Sequence, residues 1–222
     1  MIVSPHHVQT LLFCPLKVYL EAGLGLKPRT ETADKGRQAH VAYQYLTRAY
    51  YERGGISQDD VEEALRLAPS LSREEVLRIA EFRERVRLVG KPVEVEVVVE
   101  SEELGFRGKI DLLEGTAPVE VKYRGRVKPS DILQLSLYAV ALEEMRGVEV
   151  KIGYVDLLLP CRRVEVKIGR LTRLAPLLVS AVRTASLKPC KPFKPPCRLC
   201  DLKAECTLFL GSGRTAFNTG YG

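Results

Sequence analysis

The span FRGKIDLLEGTAPVEVKYRGRVKPSDILQLSLY, residues 106–138, carries two strand-like runs and the start of a helix. The runs cover 106–113 and 118–124, and Glu-Gly-Thr-Ala between them predicts a hairpin turn. Asp111 sits among Ile110, Leu112 and Leu113, where an apolar residue is expected. Glu120 and Lys122 flank Val121, so strand alternation puts their side chains on one face and Val121 on the other. With the two runs paired, two carboxylates and an amine converge at the end of a sheet.

Such a trio has a chemical use. Two carboxylates in one site repel unless a cation lies between them, and hard ions such as Mg²⁺ or Mn²⁺ prefer oxygen ligands. An ion of this kind polarises a phosphoryl oxygen and activates water near neutral pH. A neighbouring lysine can orient that water and offset charge developing on the phosphate. Glu-x-Lys by itself is a common surface pair; Asp111 upstream gives it weight.

Asp111, followed nine positions later by Glu120-Val121-Lys122, resembles the core of the PD-(D/E)XK nuclease superfamily. Gln134-Leu135-Ser136-Leu137-Tyr138 resembles the Gln-x-x-x-Tyr helix of its RecB-like branch, and Gly36-Arg37-Gln38-Ala39-His40 resembles that branch's Gly-x-x-x-His helix. Gln134 and Tyr138, four apart, share a helix face and can point together towards DNA or the site. The resemblance implies an α/β fold, a mixed β-sheet flanked by helices with a restriction-endonuclease-like core. It also implies a metal site held by His40, Asp111, Glu120 and the Val121 carbonyl. Lys122 then positions water, while Gln134 and Tyr138 orient the strand or support the site. An imidazole ligand favours Mn²⁺ over Mg²⁺, so a manganese preference follows.

At 222 residues the chain suits a single nuclease domain, 1–222. Within it, 1–90 is expected to be mainly helical, 91–169 to form the sheet core, and 170–222 to hold a last helix and a cysteine-rich segment. Lysine and arginine total 34 against 28 acids, and the net charge of +6 is compatible with nucleic acid. Residues 1–20 lack the charged n-region and small-residue cleavage site of a signal peptide. No apolar run approaches the ~20 residues of a membrane span. The expectation is a soluble cytoplasmic protein with no membrane association. A single asparagine, Asn218, and 28% charged residues lean towards a thermophile, where cytosolic disulfides occur. The six cysteines therefore read as cluster ligands, zinc ligands or disulfides.

Elsewhere the elements follow from periodicity and punctuation. Residues 4–21 read as an amphipathic helix begun by Ser4-Pro5 and interrupted at Cys14-Pro15. Residues 32–51 form a helix containing His40. Residues 57–89 read as helical, with start signals at Ser57 and Ser72 and a break at Pro69-Ser70. Arg78, Arg83, Arg85 and Arg87 give that region a basic side, either a solvated face or a wall towards DNA. Residues 92–100 alternate Val and Glu as a strand and should pair with 106–113. A helix at 130–146 closes on Gly147, strands at 148–159 and 162–168 follow, and a helix at 170–187 should kink at Pro176. Strand, helix and strand in succession give the mixed sheet. Arg124, Arg126 and Lys128 follow the site directly, and read as DNA phosphate contacts or as an ordinary basic loop.

The segment KPCKPFKPPCRLCDLKAEC, residues 188–206, has a different character. Its prolines stiffen the approach to Cys197-x-x-Cys200-x5-Cys206, which is compact enough for three thiolates to reach one metal centre. One ligand is then missing for tetrahedral zinc or a complete cubane cluster. Cys14 alone reads as a small buried hydrophobe. From end to end, however, the chain is similar to the CRISPR-associated iron–sulfur exonuclease family, with its early Cys, the four motifs above and a terminal Cys triplet. That resemblance implies an iron–sulfur cluster, [4Fe-4S] or [2Fe-2S], held by Cys14, Cys197, Cys200 and Cys206 and clasping the chain ends. Zinc or a disulfide remains the alternative. Cys161 and Cys190 fall outside the pattern, and Cys190 is close enough in sequence to be a substitute ligand.

The activity implied is a metal-dependent DNA exonuclease hydrolysing phosphodiesters at single-stranded DNA ends. Its implied setting is CRISPR spacer acquisition alongside the integrase complex. A general repair nuclease, or a non-catalytic iron–sulfur or zinc DNA-binding module, are the competing readings. The tail GSGRTAFNTGYG reads as flexible, with no assigned function.

Overall fold

Five strands form one sheet among the residues described by the computed structural model, which are 1–27, 34–190 and 196–211. They are β1 (Val93–Ser101), β2 (Phe106–Glu114), β3 (Ala117–Lys122), β4 (Ile152–Leu157) and β5 (Arg162–Lys167), ordered β1-β2-β3-β4-β5. β1, β2 and β3 form an antiparallel meander, β4 runs parallel to β3, and β5 returns antiparallel. The helices are α1 (Pro5–Phe13), α2 (Pro15–Val18), α3 (Asp34–Arg53), α4 (Gln58–Leu67), α5 (Arg73–Arg85), α6 (Pro129–Arg146), α7 (Ala175–Leu187) and α8 (Lys203–Gly211). The chain divides into two compact units, Glu31–Ala175 and Met1–Thr30 with Pro176–Gly222. The expected helix residues 32 and 33, part of the proline-rich approach at 191–195, and all but the first residue of the tail lie outside the described residues.

The mixed sheet flanked by helices is the α/β architecture expected of the nuclease fold. Its antiparallel part follows from local chemistry. Gly115 takes φ 66°, a left-handed value that costs a residue with a Cβ, and with Thr116 it turns β2 into β3. α6 makes the crossover that a parallel β3–β4 pair requires. Gly147, at φ 63° and ψ 27°, ends α6 as a left-handed cap. α3, α4 and α5 pack as a layer whose core includes Tyr43, Leu46, Val76, Ile79 and Phe82 with Leu112, Val119 and Val121 of the sheet. Because Val119 and Val121 face this layer, alternation sends Glu120 to the other side, where α6 packs.

Several boundaries differ from expectation for identifiable reasons. Pro176 does not kink a helix: it stands in the first turn of α7, where its missing N–H leaves no bond unmade. The strand expected over 148–159 is only β4, because Val150 N–H donates to Glu143 Oε1 at 2.9 Å instead of joining the sheet. α5 ends at Arg85, with Val86 already extended. The basic side of this helix is not uniform. Arg78 and Arg85 donate to the carbonyls of Leu159 and Cys161, and Arg83 is fully buried.

Arg83 belongs to a charged cluster inside the larger unit. Its Nη1 lies 3.1 Å from Glu114 Oε1, and Arg163 grips both Glu114 and Asp156 at 2.7–2.9 Å. The Tyr43 hydroxyl donates to Asp156 Oδ2 at 2.7 Å. Burial by itself would raise the Glu114 carboxyl, but the two guanidiniums outweigh it and hold that group below its ordinary value. Two cations and two anions balance, and α3, α5, β2, β4 and β5 each contribute one member. Removing one member leaves an uncompensated charge out of water. Glu114→Ala is therefore expected to cost about 3–5 kcal/mol in urea unfolding; a loss below about 1 kcal/mol would show that the arginines reach other partners.

Candidate active site

The β2–β3 ladder pairs Glu114 with Ala117, Leu113 with Pro118 and Leu112 with Val119, and goes no further. Asp111 and Glu120 are the first residues past its end, so the two strands offer carboxylates where they no longer offer each other hydrogen bonds. Asp111 Oδ2 accepts from Val121 N–H at 2.8 Å, which fixes its carboxylate across the gap. α3 supplies His40, whose Nδ1 lies 3.6 Å from Asp111 Oδ1, and Gln44, whose Nε2 donates to the Asp111 carbonyl at 3.4 Å. Gln44 was not singled out from the sequence; its position one turn after His40 on the same face was the available signal.

Glu120 is buried, at 2% exposure. Lys122 Nζ bonds its Oε1, while Oε2 is buried with no hydrogen-bond partner. Burial first, and the Asp111 charge second, push the Glu120 carboxyl up to about 8, with Lys122 pulling the other way. A carboxyl with an orphaned oxygen beside a second carboxylate and an imidazole is a donor set suited to a hard divalent cation. Among the described residues no group of three or more His, Cys, Asp or Glu side chains is already arranged to hold an ion. The fit of His40, Asp111 and Glu120 rests on donor chemistry and on the unpartnered Glu120 oxygen.

Gln134 and Tyr138 do share a face of α6, and that face is turned inward. Gln134 Nε2 donates to the Tyr138 hydroxyl at 2.7 Å, which donates to the Lys109 carbonyl at 2.7 Å. Tyr138 is 1% exposed, and burial pushes its phenol well above the usual range, so it remains a donor. The pair therefore ties α6 to β2 two residues before Asp111 and supports the site from beneath. Of the three basic residues that follow, Arg124 is paired with buried Asp131 and donates to the Arg126 carbonyl, whereas Arg126 and Lys128 are exposed. Asp131 also accepts from Lys128 N–H at 2.8 Å, capping α6.

A further tie was only half legible. Ser72 was legible as a helix start, and Glu75 three residues on accepts from its N–H at 2.8 Å. It also accepts from the Tyr123 hydroxyl at 2.6 Å and pairs with Lys35 at 2.8 Å. The Lys35 bond, then the Tyr123 bond, hold its carboxyl down at about 2. α3, α5 and the residue after Lys122 are thus joined at one carboxylate.

The smaller unit gathers four cysteines. Cys14, Cys197, Cys200 and Cys206 line one cavity of about 220 Å³, together with apolar Phe13, Leu16 and Leu20. Lys17 also lines it and pairs with Asp201 at 2.6 Å. Sulfur donors in apolar surroundings suit a soft thiolate-bound centre. Cys190 is exposed and not among the lining residues, and Cys161 lies in the turn between β4 and β5, its Sγ against the Leu158 carbonyl.

A family model described as the PD-(D/E)XK nuclease superfamily matches residues 2–207, nearly the whole chain. No curated protein matches it. No helix among the described residues is long and apolar enough to cross a membrane.

The Glu120 carboxyl has a measurable consequence in metal-free protein. Between its ordinary 4.5 and about 8, the folded state holds a proton that the unfolded chain releases. The stability from the neutral form is thus fully present below pH 4.5 and is lost as pH rises through about 8. Urea unfolding in chelator should show wild-type stability falling across this window and Glu120→Gln falling less. Parallel pH profiles for the two proteins would remove Glu120 as the cause.

Proposed function

The chain belongs to the PD-(D/E)XK nuclease superfamily, whose members are typically metal-dependent nucleases, and from that premise we propose that it is a divalent-metal-dependent DNA exonuclease. Its substrate is a single-stranded DNA end, and its setting is the preparation of DNA for CRISPR spacer insertion alongside an integrase complex. The observation that carries the catalytic reading is Glu120: a buried carboxyl with one unpartnered oxygen, between Asp111 and Lys122 at the end of a β-ladder.

In this reading His40, Asp111, Glu120 and the Val121 carbonyl hold Mn²⁺ or Mg²⁺. The ion supplies Lewis-acid polarisation of a phosphoryl oxygen and offsets the charge that develops there. Lys122 keeps its ammonium beside Glu120 and exchanges part of that contact for the attacking water, which it positions in line with the phosphodiester. Tyr138 and Gln134 are positioning residues: they hold the Lys109 carbonyl, and with it the register of Asp111. Arg126 and Lys128 meet the phosphates of the incoming strand, and Arg124 orders their loop through Asp131. Cys14, Cys197, Cys200 and Cys206 hold an iron–sulfur cluster, with [4Fe-4S] favoured, whose role is to staple the chain ends. Four sulfurs on one apolar cavity support this reading.

Two experiments test these assignments. Anaerobically purified protein is given single-stranded DNA labelled at either end, with Mn²⁺, Mg²⁺ or chelator. Cleavage from an end is expected with metal only, abolished in Glu120→Ala and slowed about 10²-fold in kcat by Lys122→Ala. Tyr138→Phe should weaken Mn²⁺ binding about tenfold by calorimetry; unchanged affinity with a lower Tm would make its role purely structural. The same preparation should absorb in the visible and contain iron and acid-labile sulfide, lost in Cys197→Ala. A colourless protein with one zinc per chain would defeat the cluster assignment.

A further inference from the structure

α3 carries His40, Gln44 and Arg48 at successive four-residue steps, hence on one face. The first two reach Asp111, through the 3.6 Å approach of His40 Nδ1 and the hydrogen bond from Gln44 to the Asp111 carbonyl. Gln44 and Arg48 in turn line a cleft of about 200 Å³ with Val41, Tyr45, Val95 and Glu96. Gln44 is common to both places, bonded to the Asp111 carbonyl and forming part of the wall of the cleft. From His40 to Arg48 is about 12 Å along the helix axis, a short step along a DNA strand.

The lining has the composition of a nucleotide seat. Val41, Val95 and the Tyr45 ring give apolar surface for a base, and the Tyr45 hydroxyl is anchored on Asp60 at 3.3 Å. Arg48 is exposed and offers a guanidinium to a phosphate. Glu96 is an acceptor without donors. Its backbone takes φ 55°, a left-handed value that is costly for a residue with a Cβ and rare inside a strand. It stands between the Val95–Leu112 and Val97–Ile110 pairs, and so across the ladder from Asp111. An ion pair with Lys109 at 2.5 Å steadies the carboxylate.

We propose that this cleft is a base-reading subsite for a nucleotide flanking the scissile phosphate, and that it takes amino-bearing bases in preference to thymine. The proposal deepens the nuclease reading and rests on it. The Glu96 carboxylate accepts from the exocyclic amino group of cytosine, adenine or guanine. Thymine presents two carbonyl oxygens beside its one N–H, and a carboxylate repels them. Arg48 holds the adjoining phosphate, so the base is read while the backbone leads on to Asp111 and Glu120.

The test uses the full chain and end-labelled oligo(dT) strands carrying one cytosine, adenine or guanine at successive positions. Cleavage is followed with Mn²⁺, and binding by fluorescence anisotropy in chelator. Wild-type protein should show kcat/KM about fivefold higher for an amino base at one register, with the same order in binding. Glu96→Gln, whose amide both donates and accepts, should level the four bases. Arg48→Ala should weaken all strands alike and reduce the salt slope of binding by about 0.7. Cleavage or binding without any base preference in wild type, or a preference that survives in Glu96→Gln, overturns the subsite. A base preference in binding with no cleavage under any metal keeps the subsite and overturns the nuclease reading instead.

Discussion

A carboxylate taken out of water must be neutralised by a proton, a cation or a set of donors. Glu120 is buried to 2% with only one of its oxygens bonded, and its nearest partners are another carboxylate and a lysine. In metal-free protein a proton makes up that deficit below about pH 8, and in the proposed reading a divalent ion takes its place. The end of the β2–β3 ladder, the tether from α6 and the approach of His40 are all arranged about that deficit.

The contrast lies within the same unit. Glu114 and Asp156 are as deeply buried as Glu120, yet each is met by guanidinium groups from Arg83 or Arg163, and Glu114 stays below its ordinary value. Those four charges close on themselves and, with the Tyr43 hydroxyl, join five elements. Glu120 moves the opposite way because Lys122 cannot offset both desolvation and Asp111. The three buried carboxylates of this sheet therefore differ in kind: Glu114 and Asp156 are closed into a charge cluster, whereas Glu120 keeps an unpartnered oxygen.

Rigid elements set the geometry around the open site. Tyr138 reaches from α6 to the Lys109 carbonyl, Gln44 from α3 to the Asp111 carbonyl, and Asp111 itself to Val121 N–H. These bonds hold backbone and so limit how far the carboxylates can drift, which is what a positioned metal and water require. Glu75, joined to Tyr123 and Lys35, extends the same restraint to the loop after Lys122.

Much of this was legible along the chain. The hairpin, the alternation of β1, the capping boxes at Ser57 and Ser72 and the Gly147 cap depend on neighbours within a few residues, and periodicity reports such neighbours faithfully. Asp111, Glu120 and Lys122 stood out because charged residues broke an apolar strand pattern. Other features had no local signature. Arg83 reads like Arg78 and Arg85 on an exposed helix, and only packing against Glu114 from thirty-one residues away makes it a core residue. Gln134 and Tyr138 were correctly placed on one helix face, but which way that face turns depends on the sheet it covers. Gln44 and the left-handed Glu96 acquire meaning only beside Asp111, and Pro176 opens a helix instead of bending one. Sequence alone determined the elements and the reactive residue types, because those follow from local sterics and solvation. Tertiary structure alone decided which charges are paired and which is left unsatisfied, because in a low-dielectric interior that balance is set by partners distant in the chain.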